Sequence, residues 1–143
     1  MPHALAIALA ILASTQADPQ PYVGHWIGEF QGQVFVQLDL AADDGVLSGR
    51  LRIAHEVHTD ARGEVDGASR SMSEPRPVFD VKATTTSVTF SVKDEDDTDR
   101  FELRVTAGGE ADLALILSQE MRDELAADHQ AEPRPFKLKR KSS

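Results

Sequence analysis

The chain has 143 residues, 41% hydrophobic, 27% charged and 6% aromatic, which suits one globular domain whose core is large enough to stand without a staple. It has no cysteine, so disulfides, thiolate metal sites, a cysteine nucleophile and a lipidated N-terminal cysteine are excluded. With 24 acidic against 15 basic residues the net charge is -9, which disfavours a nucleic-acid partner because phosphate contacts need a basic face.

The first element is a targeting segment. Ala4 to Ala13 is an unbroken apolar run, too short for the roughly 20 residues that span a bilayer as a helix. Thr15 and Ala17 are small residues at the positions a signal peptidase reads, and Asp18-Pro19 starts a polar, extended stretch. The expectation is a signal peptide over residues 1–17, cleaved near Ala17. A single domain over residues 18–143 then resides in the periplasm or is secreted, with no transmembrane segment in the mature chain.

The remainder reads as eight short runs of alternating polarity separated by turn residues. The first is Gly24–Phe30, with Trp26, Gly28 and Phe30 on one face, and Gln31-Gly32 turns the chain. In the second, Val34, Val36, Leu38 and Leu40 face one way and Phe35 the other. Asp44-Gly45 is a hairpin signal, because both positions tolerate positive φ. The third run puts Leu47, Leu51 and Ile53 on one face. Ala54 to Pro77 is long and polar, which marks a lid, a binding loop or a disordered segment, with first proteolysis expected at Arg62 or Arg70.

The fourth run, Val78–Ala83, is read with Phe79 and Val81 inward. The fifth places Val88, Phe90 and Val92 on one face, and Asp94 to Asp97 turns the chain. The sixth buries Phe101, Leu103 and Val105, and Gly108-Gly109 ends it. The seventh aligns Leu113, Leu115 and Leu117. Ser118 to Glu132 carries Met121, Leu125 and Ala126 at helical spacing, with Ser118 as the N-cap, and Pro133 and Pro135 end that helix. The last run has Phe136, Leu138 and Arg140 on one face and Lys137, Lys139 and Lys141 opposite.

Tight turns force antiparallel pairing, and eight strands with one apolar face each bury it by closing on themselves. The predicted fold is therefore all-β, an antiparallel eight-stranded barrel with one short helix before the last strand. Gly24-His25-Trp26 resembles the Gly-x-Trp opening of lipocalin-like (calycin) barrels. With Val36 to Leu40, Gly45 to Ile53 and Pro135 to Arg140, the chain resembles the small lipocalin-like domain of exported bacterial proteins. Some members of that group precede a serine hydrolase domain, but no Gly-x-Ser-x-Gly elbow is present here. The resemblance implies a tryptophan–arginine pair, Trp26 with Arg140, closing the bottom of the barrel by a cation–π contact. A monomer is expected.

The strongest chemistry-bearing pattern is His55-x-x-His58-x-Asp60, a weak candidate metal set in the long loop. Asp94 to Asp99 lacks the glycine a calcium loop uses at its bend and reads as a solvated acidic turn. No Ser, His and Asp are spaced to set a nucleophile beside a base, and no histidine falls on a strand in the second half of the chain to hold haem. No enzyme activity, metal or cofactor is expected. The expected function is a binding module whose barrel interior takes a small apolar ligand against Val36, Leu38, Leu51, Phe90, Phe101, Leu103 and Leu115. The alternative is a filled barrel with a structural or protein-interaction role, acting through its loops.

Overall fold

A computed structural model describes residues 17–141. The expected targeting segment, up to residue 16, lies outside the described residues. Among the described residues there are ten strands: β1 (Gly24–Phe30), β2 (Gln33–Asp43), β3 (Val46–Ile53), β4 (Val57–Thr59), β5 (Val65–Ala68), β6 (Arg76–Ala83), β7 (Val88–Asp94), β8 (Asp97–Ala107), β9 (Glu110–Ile116) and β10 (Phe136–Lys141). Eight of them form a closed antiparallel barrel in the order β1-β10-β9-β8-β7-β6-β3-β2. The helix α1 (Gln119–Ala127) precedes the last strand, and the Ser118 hydroxyl caps it by accepting the Met121 N–H. Among the described residues no helix is long and apolar enough to cross a membrane.

The turn chemistry explains the meander. Gln31-Gly32 and Asp44-Gly45 both have positive φ at both positions, the geometry that matches the twist of flanking strands. Pairing of Trp26 with Arg140 and of Ile27 with Lys139 joins the first strand to the last and closes the sheet, leaving no free edge there. The seam between β3 and β6 is the thinnest, paired at Arg50–Pro77 and Leu51–Arg76. Below it the two strands diverge around a groove lined by Val46, Phe79, Ala17 and Pro19.

Two bulges reverse the expected facing of side chains. Between Gly28 and Glu29 the register of β1 on β2 slips by one, so that Phe35 has no opposite residue. Phe35 therefore turns in beside Val36, is buried, and meets the Phe136 ring edge-on with centroids 5.2 Å apart. Val34, expected inward, is not part of the core. In β6 the slip lies between Phe79 and Lys82, with Asp80 at a φ of 51°. Val78 is consequently buried and Phe79, expected inward, is 45% exposed, whereas Val81 beyond the bulge packs against the core as expected. The bulge also brings the Asp80 carboxylate to Arg100 at 3.0 Å, and the same guanidinium donates to the buried Ser91 hydroxyl at 2.7 Å. Leu117, expected to extend the seventh run, lies beyond the end of β9 at Ile116.

The long connection after β3 is folded. Strands β4 and β5 pair as a hairpin, with Val57 opposite Ala68 and Thr59 opposite Val65. The return limb is held to β3: the Ser73 N–H donates to the Ile53 carbonyl at 2.8 Å and the His55 N–H to the Ser71 carbonyl at 3.0 Å. Val57, Val65, Ala68 and Met72 pack against the barrel core, which supplies the burial that a solvated loop lacks.

Candidate functional site

The barrel has two different ends. At the end where β1 begins, a 3-10 turn (Gln20–Tyr22) carries Tyr22 across the opening. Tyr22 is buried, and its hydroxyl donates to the Thr84 carbonyl of the β6–β7 turn at 2.7 Å. The Trp26 indole N–H donates to the Tyr22 carbonyl at 2.9 Å. Below the ring, the Arg140 guanidinium carbon lies 4.5 Å from the Trp26 ring centroid. Arg140 also donates to the Pro21 carbonyl, and its own N–H donates to the Gly109 carbonyl at 2.8 Å. Arg140 is exposed as a residue, so its side chain covers Trp26 from outside the core and is not itself buried. This end is a plug of interlocked hydrogen bonds with every buried polar side-chain atom satisfied among the described residues.

Above that plug the lower half of the barrel is filled. Trp26, Val36, Leu38, Val88, Phe90 and Leu103 have no exposure at all, and Phe90 stacks on Phe101 at 5.7 Å. Gly28 faces this layer where a Cβ would lie 2.8 Å from the Leu138 side chain, so the missing side chain makes room for Leu138. Of the predicted interior set, Val36, Leu38, Phe90 and Leu103 are thus floor and filling.

The opposite end is open. A cavity of about 480 Å³ lies there, walled by Leu51, Ile53, Val92, Phe101, Leu115 and Phe136. Leu51, Phe101 and Leu115 of the predicted interior set line it. One side of its rim is polar. Arg76 stands opposite Leu51 and Asp99 opposite Val92, so both continue inward-facing registers, and Asp94 and Glu95 complete that side. Arg76 pairs with Asp94 and donates to the Lys93 carbonyl at 3.3 Å. The Asp94 carboxylate holds Arg76 firmly in its charged form. Burial raises the Asp99 carboxyl above its ordinary range, the Asp94 and Asp97 charges raise it further, and Arg76 opposes them. The Asp99 carboxyl has no hydrogen-bond or ion-pair partner among the described residues.

Two segments arch over the other side of the mouth and are latched together. The Arg134 N–H donates to the Gly63 carbonyl at 2.8 Å, and its guanidinium meets Glu64 at 3.2 Å. Gly63 has a φ of 86°, and a Cβ there would lie 2.1 Å from the Glu132 carbonyl oxygen. Asp60 organises the tip of this hairpin: one carboxylate oxygen accepts the N–H groups of Arg62 and Glu64, which lowers its pKa.

The structure does not assemble His55, His58 and Asp60 into a metal set. His55 Nδ1 shares a hydrogen bond with Ser71 at 3.0 Å, His58 sits 3.8 Å from Glu56, and Asp60 serves its own turn. Among the described residues no three His, Cys, Asp or Glu side chains converge to hold a metal ion.

Sequence reasoning missed Arg76, Asp99 and Tyr22. Asp99 was within reach, since it continues the register of Phe101, Leu103 and Val105 by two residues. Arg76 shares the face of Val78, but reading Phe79 as inward put it outside. Compared with known proteins, the chain matches no family model, no curated protein and no solved structure.

Proposed function

We propose that this protein is an exported, non-catalytic binding module of the lipocalin-like kind, which takes a small apolar ligand into the open mouth of the barrel. The observation that carries the reading is the cavity of about 480 Å³ over a filled floor, since small-molecule sites are concave, largely apolar pockets of this size with a few placed polar groups. The resemblance of Gly24-His25-Trp26 to the Gly-x-Trp opening and the closed eight-stranded barrel support the lipocalin-like part. The apolar run Ala4–Ala13 supports export.

The filled lower half favours a second reading, a structural or protein-interaction domain acting through its loops. Titration with an environment-sensitive apolar fluorophore separates the two. The binding module gives saturable binding at one site, and Leu115→Trp, which fills the mouth, abolishes it while the thermal transition stays near that of the parent. Binding that never saturates, or that is unchanged by Leu115→Trp, overturns the mouth as the site.

A further inference from the structure

We infer that the occupant of the mouth is an amphiphile with a cationic end, an alkylammonium, whose chain lies against Leu51, Phe101 and Leu115 and whose nitrogen faces Asp99. This rests on the proposed ligand-binding role of the mouth and names the chemistry of what it takes.

The argument starts from the inward registers. An apolar cavity in a barrel of this size is closed by floor residues and opened at one end, so a ligand's polar end is left at the rim. On the β6–β7–β8 side that rim offers Arg76, Asp94, Glu95 and Asp99. Among the described residues Arg76 is the one cation lining this side, and its charge is already taken by Asp94. On the opposite side Arg134 is engaged by Glu64, and His55 is engaged by Ser71. What remains over the cavity is acidic, and Asp99 is half-buried without a partner among the described residues.

A carboxylate ligand placed there meets like charge on Asp94, Glu95 and Asp99, which is costly in a partly desolvated site. An uncharged ligand displaces water from Asp99 and returns no opposite charge. An ammonium group restores both hydrogen bonding and charge balance to Asp99. A bare metal ion is a poorer fit, because among the described residues these carboxylates do not converge as a ligand set.

Three probes with the same decyl chain test the inference by calorimetric titration: decylammonium and decanoate, each below its micelle concentration, and decanol, below its solubility limit. Decylammonium is expected to bind at least about tenfold tighter than decanol, as a charge-assisted hydrogen bond to a half-buried carboxylate provides, and decanoate weakest. Asp99→Asn should bring decylammonium down to the level of decanol and leave decanol unchanged. Asp44→Asn, which removes the same unit charge at the closed end of the barrel, should leave the preference intact. Equal binding of decylammonium and decanol, tightest binding of decanoate, or a preference that survives Asp99→Asn overturns the cationic end and leaves the apolar-ligand reading standing. No binding of any probe overturns both.

Discussion

Arg140 lies across the face of Trp26 with its guanidinium carbon 4.5 Å from the ring centroid, and the two residues are direct partners across the strand pair that closes the barrel. One contact thus joins the first strand to the last and covers the largest core side chain. Exposed cation–π contacts contribute about 0.5–1 kcal/mol, and Arg140 adds its hydrogen bond to the Pro21 carbonyl. Trp26→Ala should cost about 3–5 kcal/mol, a large share of the stability of a domain this size. A double-mutant cycle with Arg140→Ala, read by denaturant unfolding, should give a coupling above about 0.5 kcal/mol. Additive losses would mean that the seam holds without this pair.

Gly63 is the point where the β4–β5 hairpin touches the segment before β10. Any Cβ collides with the Glu132 carbonyl and the backbone sits at a φ that favours glycine, so Gly63→Ala should release the latch. Trypsin cleavage after Arg62 should then accelerate several-fold, consistent with a small local opening energy, while the barrel's thermal transition moves little. Equal cleavage rates in the two proteins would place the stability of the hairpin elsewhere, in Val57, Val65 and Met72.

Asp99 makes a prediction with a definite sign. Its carboxyl is raised by burial and by Asp94 and Asp97, so the folded state binds that proton more tightly than the unfolded chain. Its contribution to stability is therefore fully present in acid, below the ordinary carboxylate range, and is lost as pH rises through the raised value. Asp99→Asn should raise the melting temperature modestly at neutral pH, and the gain should vanish in acid. A lowered melting temperature at neutral pH would show that Asp99 has a favourable partner in solution.

If the protein is exported as proposed, the N-terminus of the exported chain should be Asp18. The Asp18 carboxylate accepts the Gln20 N–H at 3.0 Å at the start of the turn that carries Tyr22, so cleavage after Ala17 keeps the plug whole. N-terminal sequencing of the exported fraction checks this, and a chain beginning at Met1 there refutes it.

The strands and their turns were legible in the sequence because both signals are local. A period of two writes burial directly into the chain, and pairs such as Gln31-Gly32 and Asp44-Gly45 carry the positive φ of their hairpins in the residue types themselves. The helix before the last strand was legible at its start, through the Ser118 cap, but not at its end: it stops at Ala127, with His129 at a φ of 56°, well before Pro133 and Pro135, which were expected to end it. Closure of β1 on β10 followed from strand count, and the pairing of Trp26 with Arg140 was what the resemblance to lipocalin-like barrels implied. What the sequence by itself could not determine is where the period slips. At Phe35 and Asp80 one extra residue reverses the facing of everything on one side, and the neighbouring strand, not the local sequence, decides where that residue is accommodated. The β4–β5 hairpin was hidden because its strands are three and four residues long and hold their shape by packing Val57, Val65 and Ala68 on the barrel. The polar side of the mouth was hidden for a deeper reason. Arg76, Asp94 and Asp99 come from three strands and meet because the sheet curls, and that curvature exists only once the tertiary structure has formed.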